Sequence, residues 1–331
     1  MSSPATAFSL ALLGELIGRG VRDIVLCPGA RSQALALAAA AWEQAGRVRL
    51  RVRIDERVAG FLALGIAVET GLPVVIITTS GTAVANLHPA VLEAHHSGVP
   101  LVLLTADRPA ELRGIGSNQT TDQAGMFGNA IGWVRDVAPP EDSSGAASLA
   151  GQAYAAASGT PGPVQLNLSF REPLSGSVER LPQIPHYEIA EALSLPPRQI
   201  GDAPHTVVIA GHGAGPEAEV FARSLGVPLL AEVSSGSHYG PNLVVAYRRL
   251  LDDPEYGGRI ERAVVFGHPT LSRQIPAMLS RPHVVVHVVR GITADAYNPG
   301  RRAATIDKSV VHDGVADETP DGRAWLGARM R

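Results

Sequence analysis

The sequence predicts an α/β protein made of two doubly wound parallel-sheet domains. Three observations carry that expectation. Strand-like apolar runs alternate regularly with helix-like runs through the first half. A polar, proline-rich stretch interrupts the pattern between about 171 and 204. A second alternating series then runs from 205 to 289.

The elements follow in order. "SPATAFSLALLGELIG" reads as an amphipathic first helix; it lacks a basic start and contains Glu15, so it is not a signal peptide. "VRDIVLC" (21–27) is β-branched and strand-like, and "PGARSQALALAAAAWEQAG" turns into a helix. "RVRLRVRI" (47–54) alternates, then leads into "DERVAGFLALGIAVETG", whose apolar residues recur at helical spacing. "PVVIITT" (73–79) has a buried-strand pattern, followed by one helix over "SGTAVANLHPAVLEAHHSG". "VPLVLLTA" (99–106) is a fourth strand, "SGAASLAGQAYAAASG" a helix and "GPVQLNLSF" (162–170) a strand. The expected first domain is 1–180, with an ordered surface linker at 181–204. The second domain, 205–331, has strands "HTVVIAG", "VPLLAEV", "RAVVFG" and "HVVVHVV", with helices at "GPEAEVFARSLG" and "TLSRQIPAMLSR".

Composition narrows the function. A net charge of −3 without a basic block argues against nucleic acid as a partner. No apolar run approaches bilayer-spanning length, so no membrane insertion is expected and the cytoplasm is the default location. One cysteine, Cys27, rules out an internal disulfide and a thiolate metal cluster within one chain. Lys308 is the only lysine; the other cations are arginines, which suit bidentate recognition of carboxylates.

In open parallel sheets, ligands bind beyond the carboxyl ends of the strands. Those ends deliver Arg31 and Ser32, then Asp55 and Glu56, then Thr79, Ser80 and Thr82, then Asp107, Arg108, Asn118 and Gln119. Two arginines, a glutamate, hydroxyls and carboxamides at one edge suit an anionic, oxygen-rich ligand. Each also has a plainer role: Asp55 as an N-cap, Glu56 as a partner of the helix dipole, the arginines as solvated or paired charges. In the second domain "GHGAG" (211–215) follows a strand, but the third glycine of a dinucleotide fingerprint is misplaced, so a Rossmann-like domain without cofactor is expected. No histidine pattern matches a metal-ligand set; His95 and His96 point to different sides of one helix.

Five ordered blocks, "CPGARSQALALA", "IDERVAGFLALGIA", "TSGTAVANLHPAVLEA", "VPLVLLTADRPAELRGIGSNQTTDQAGMFG" and "GPVQLNLSFREPL", resemble the pyrimidine-binding domain of the MenD family of thiamine-diphosphate enzymes. The resemblance spans residues 1 to about 175 and continues more loosely through "LLAEVSSGS" and "VVFGHPTLSRQI". It implies the menaquinone-pathway transferase chemistry of that family: 2-oxoglutarate is decarboxylated on thiamine diphosphate with Mg2+, and the resulting carbanion adds to isochorismate. By the resemblance Glu56 is the cofactor-activating glutamate and Thr79, Ser80 and Gly81 form the turn against the pyrimidine. Arg31, Ser32, Arg108, Asn118 and Gln119 match isochorismate-binding positions, and the active site lies between subunits of a homodimer or larger homo-oligomer.

Two departures stand out. The family's P-G-S-R-S reads Pro28-Gly29-Ala30-Arg31-Ser32, which removes a hydroxyl worth about 1 kcal/mol of binding. The family's third, diphosphate-binding domain is marked by a Gly-Asp-Gly segment, and nothing after 204 fits it. "HDGVADETPDG" lacks a preceding buried strand, and "GRAWLGARMR" resembles the helix leading into that domain. The expectation is an incomplete chain, inactive by itself. Two other readings stay open: another thiamine-diphosphate carboligase or decarboxylase, and a non-catalytic protein that binds an isochorismate-like ligand. A nucleotide-binding protein using "GHGAG" is a third, weaker one.

Overall fold

The computed structural model of the chain describes residues 3–178, 180–185, 187, 196–291, 295–312, 314 and 319–327. The central part of the expected linker, most of "HDGVADETPDG" and the last four residues lie outside the described residues. The chain divides into two compact units, Met1–Ala190 and Glu191–Arg331.

The first unit contains α1 (Pro4–Gly18), β1 (Asp23–Leu26), α2 (Gln33–Gln44), β2 (Arg49–Val52), α3 (Glu56–Thr70) and β3 (Val74–Thr78). It continues with α4 (Thr82–Ala85), α5 (His88–Ser97), β4 (Leu101–Asp107), β5 (Trp133–Val137), α6 (Ala146–Gly159) and β6 (Pro163–Ser169). The six strands are all parallel, in the order β2-β1-β3-β4-β6-β5. Strand periodicity builds two cores. Ile24, Val75, Ile77, Val102 and Leu104 face α1, α2 and α6, whereas Val25, Val74, Ile76, Leu101 and Leu103 face α3 and α5. A sheet covered on both faces needs continuous apolar runs, as in Val74–Ile77 of β3 and Leu101–Leu104 of β4.

Local chemistry sets the helix ends. The Ser3 hydroxyl caps α1 by accepting from the Thr6 amide at 3.1 Å, with Pro4 at the first turn. The Asp55 carboxylate caps α3 by accepting from the Val58 amide at 3.1 Å, and Gly71 closes it in the left-handed conformation, φ 67°. The expected single helix after β3 is instead two, α4 and α5. Pro89 has no N–H to bond back to the preceding turn, and it starts a new helix instead. The first helix is not amphipathic as expected: α1 is buried on nearly every side. Gly14 lets the Trp42 ring of α2 come within 2.8 Å of where a Cβ would stand.

The second unit contains β7 (Arg198–Gln199), β8 (Thr206–Ala210), α7 (Glu217–Leu225), β9 (Leu229–Ala231), α8 (Tyr247–Asp252), β10 (Arg262–Phe266) and α9 (Gln274–Leu279). It ends with β11 (Val285–Val289), β12 (Ala303–Asp307), β13 (Val310–Val311) and α10 (Pro320–Gly327). Its main sheet is parallel in the order β12-β11-β10-β8-β9, while β7 pairs with β13. Strands β5 and β12 and helix α8 have no counterpart in the sequence-based expectation. Among the described residues no helix is long and apolar enough to cross a membrane.

Candidate functional site

In the first sheet the order reverses at β1: the chain steps outward to β2, then returns to place β3 on β1's other side. The carboxyl ends of β1 and β3 therefore border a crevice that no crossover covers. The turn after β1 presses against the turn after β3. A Cβ on Gly29 would stand 2.4 Å from Thr79 Cβ, so only glycine permits the approach. Gly81, at φ 78°, packs against Gln119, whose Cγ lies 2.9 Å from where a Cβ would be.

Arg108, leaving β4, donates from Nη1 to Ser80 Oγ at 2.8 Å and to the Gln119 carbonyl at 2.9 Å. Ser80 Oγ in turn donates to the Gln119 carbonyl at 2.8 Å, and Gln119 Nε2 donates to the Ser80 carbonyl at 2.9 Å. Arg31 reaches over the strand ends and donates from Nη1 to the Phe170 carbonyl at 3.1 Å. Arg31, Thr79, Ser80, Gly81, Arg108 and Gln119 thus converge on one rim. Burial lowers the proton affinity of Arg31, and the neighbouring Arg108 charge lowers it further. The nearest ion-pair partner of Arg31 is Glu172, 3.8 Å away on a side chain that is mostly exposed. Two guanidinium groups are therefore held near each other with weak compensation, an arrangement that favours an anionic ligand.

The other candidate residues are placed differently. Ser32 is fully buried and donates to the Gly29 carbonyl at 3.1 Å, inside its own turn. Asn118 is exposed, and its side chain makes no hydrogen bond among the described residues. Glu56 is the first residue of α3, half-buried and without a hydrogen-bond partner among the described residues; Asp55 alone supplies the cap. The Glu56 charge is felt at Cys27, at the end of β1. Burial first, then Glu56 and Asp55, push that thiol up to about 12.

A buried polar network behind this rim escaped the sequence reading. Gln123 Oε1 accepts from the Gly81 amide at 2.9 Å, while its Nε2 donates to the Ala106 carbonyl at 3.1 Å and to Asn167 Oδ1 at 2.7 Å. Asn167 Nδ2 donates to Asp107 at 2.9 Å and to Asp136 at 2.8 Å. Gln165 ties the same loop down by accepting from the Gly125 amide and donating to the Gln123 carbonyl, both at 2.9 Å. Arg113 bridges the two carboxylates, with Asp107 at 3.0 Å and Asp136 at 2.7 Å, and donates to the Arg108 carbonyl at 2.8 Å. Its guanidinium holds Asp136 below the usual carboxylate range, against the effect of burial. The available signal was Gln165 and Asn167 on one face of an otherwise apolar strand.

In the second unit, "GHGAG" packs against its own neighbours. His212 and His268 pair through backbone bonds of 3.1 and 2.8 Å across the β8–β10 switch point, where a dinucleotide would lie. Glu232 accepts from the Thr270 and Leu271 amides at 2.9 and 2.8 Å, so a carboxylate already occupies the nearby anion position. Among the described residues no group of three His, Cys, Asp or Glu is placed to hold a metal ion.

Residues 8–126 match the family described as "Thiamine pyrophosphate enzyme, N-terminal TPP binding domain". The chain is 59% identical to the 2-succinyl-5-enolpyruvyl-6-hydroxy-3-cyclohexene-1-carboxylate synthase of Leifsonia xyli subsp. xyli (strain CTCB07), over 98% of this chain and 57% of that relative. It is 39% identical to the synthase of the same name from Nocardia farcinica (strain IFM 10152), over 98% of this chain and 60% of the relative. The chain thus spans somewhat more than half the length of these relatives. A putative thiamin diphosphate-dependent enzyme from Mycobacterium smegmatis shares the fold with a TM-score of 0.63 at 16% identity, covering 93% of this chain and 60% of that one. Residues 8–126 thus resemble the N-terminal domain of thiamine-pyrophosphate enzymes, and the sequence relatives of the chain are synthases of that one name.

Replacing Gln123 by Leu leaves the buried Gly81 amide without an acceptor. The expected loss is about 3 kcal/mol in chemical denaturation, with faster hydrogen exchange at Gly81; an unchanged midpoint would count against the network. Cys27 is expected to stay unreactive toward an aromatic disulfide reagent at mildly alkaline pH until the chain is unfolded. Rapid labelling of the native protein would contradict a thiol held protonated.

Proposed function

We propose that this chain carries the pyrimidine-binding and central parts of a cytoplasmic 2-succinyl-5-enolpyruvyl-6-hydroxy-3-cyclohexene-1-carboxylate synthase, a thiamine-diphosphate-dependent transferase of menaquinone biosynthesis. The observation that carries the proposal is the rim itself. An uncommitted glutamate and two under-compensated arginines stand at the carboxyl ends of one parallel sheet, in a chain 59% identical to such a synthase.

The residues present suit the pyrimidine half of the cofactor. Glu56 has no other hydrogen bond to satisfy among the described residues, and Gly29 lets the turn after β1 close on Thr79 while Gly81 lets Gln119 close on the turn after β3. When bound, thiamine diphosphate supplies the thiazolium carbon on which 2-oxoglutarate is decarboxylated and from which the succinyl unit passes to isochorismate. Glu56 would share a proton with N1′ of the aminopyrimidine, a role that needs a half-buried carboxyl group at hydrogen-bond distance. Arg31 and Arg108 would receive the carboxylates of isochorismate, and the bonds from Ser80, Gln119 and Arg113 keep Arg108 oriented for that task. Ser32 and Gln119 would shape this pocket through the backbone they hold, with Asn118 closing over it from the exposed loop. Mg2+ and the diphosphate would be held by the portion of the relatives that this chain does not span.

A homo-oligomeric active site is part of the same proposal. Ile54, Val58, Phe61 and Val68 form an exposed apolar stripe at and along α3, beginning beside Glu56. Helical spacing sets Val58, Phe61 and Val68 on one face of α3, just after Ile54, which suits burial against a second copy.

The decisive assay combines this chain with thiamine diphosphate, Mg2+, 2-oxoglutarate and isochorismate, and supplies the remaining portion of the Leifsonia relative. Product formation is expected, and Glu56→Gln should slow it by roughly a hundredfold or more while isochorismate binding persists. Full activity of that variant would remove Glu56 from the mechanism; binding without turnover in the wild type would favour a non-catalytic ligand-binding protein. Phe61→Asp is expected to shift the chain toward monomer in sedimentation, and an unchanged distribution would place the interface elsewhere.

A further inference from the structure

The second sheet has an arginine where its interior begins. Arg262 opens β10, in register with Thr206 of β8 and Val285 of β11, and is only 9% exposed. Its Nε donates to Thr206 Oγ1 at 2.9 Å. Its Nη2 is sealed from solvent and has no acceptor among the described residues. An arginine at a strand edge ordinarily buries its stem and wets its head. Here one terminal nitrogen of the head is dry, and a buried donor without an acceptor is costly.

The cavity beside it has no unengaged carboxylate among its lining residues. Arg262 lines an open-mouthed cavity of about 650 Å³, together with Arg259, Glu261, His283 and His287. Its one carboxylate, Glu261, is engaged by His205 Nδ1 at 3.0 Å. Arginine can only donate, so the 2.7 Å contact of Arg259 Nη2 with His205 Nε2 places the imidazole proton on Nδ1, toward Glu261. His287 lies on the same sheet face as Val285, and its Nδ1 meets Thr305 Oγ1 at 3.0 Å; its Nε2 has no partner among the described residues. Burial, then Arg262, then Arg198 lower the proton affinity of His287, and Asp307 opposes them. Asp202 only partly offsets the effect of burial on Arg262. The strands therefore assemble cationic and donor groups around a space of metabolite size.

We propose that this cavity binds a small oxyanion, a carboxylate-bearing metabolite or a phosphate-type ion, whose oxygens accept from the Arg262 guanidinium and from His287 Nε2. The site is independent of the rim on the first unit. The test is calorimetry on the whole chain with sulfate and, separately, succinate, each at ionic strength held constant with chloride. Saturable one-site binding of at least one probe is expected, and Arg262→Met should weaken it by roughly tenfold to a hundredfold, whereas exposed Arg273→Gln should not. Binding confined to sulfate would identify an inorganic oxyanion as the ligand, and binding confined to succinate a carboxylate. Failure of both probes to exceed chloride, or equal weakening by the two variants, would overturn the proposal. Should Arg262→Met not fold, the His287 ring resonances of the wild type must still move with the same half-saturation, and their immobility would equally refute it.

Discussion

The reversal of strand order at β1 is the constraint on which the rest of the first unit depends. Parallel strands bring every carboxyl end to one rim, but only a change of winding direction leaves that rim open between two neighbours. The residues that line the opening come from four separate segments. The short turns after β1 and β3 must touch for the crevice to form, which explains why a Cβ is excluded at Gly29.

Charge is distributed around that opening with a clear division. Arg113 pairs with buried Asp107, which would otherwise be costly, and with the more exposed Asp136, and it also bonds the Arg108 carbonyl. Arg31 and Arg108 remain at the crevice with weak compensation for Arg31, from exposed Glu172 and from Asp107, which is already paired with Arg113. The carboxamides of Gln123 and Asn167 bond each other, and that of Gln165 holds the backbone of the Gln123 loop, so the support is tied down without adding net charge. A similar division recurs in the second unit, where Glu232 accepts from the Thr270 and Leu271 amides while Arg262 Nη2 has no acceptor among the described residues at the opposite end of the sheet.

Much of this was legible in the residues themselves. Strands β1, β3, β4 and β6 are buried throughout because both faces are covered, and their mostly apolar runs announce themselves. Strand β5 hides because it is an edge strand carrying Arg135 and Asp136, and β12 hides for a similar reason, with alternate residues exposed. The ends of the first four strands pointed to the rim, yet what each side chain does there depended on contacts no local pattern contains. Gln119 sends its carboxamide to the Ser80 backbone, and Ser32 turns into its own loop. Gln123 finds Asn167 from 44 positions away, a pairing that only the closed loop creates.

The placement of β6 between β4 and β5 also sets a timetable for assembly. β5 pairs with β6 alone, yet it precedes β6 in the chain by a helix and two connections. During synthesis the Trp133–Val137 segment emerges before any partner exists for its backbone, and it must wait until Pro163–Ser169 has docked on β4. The Arg135 and Asp136 side chains that disguise this strand are well suited to that interval, since they keep an unpaired edge hydrated while the ribosome finishes the rest of the sheet.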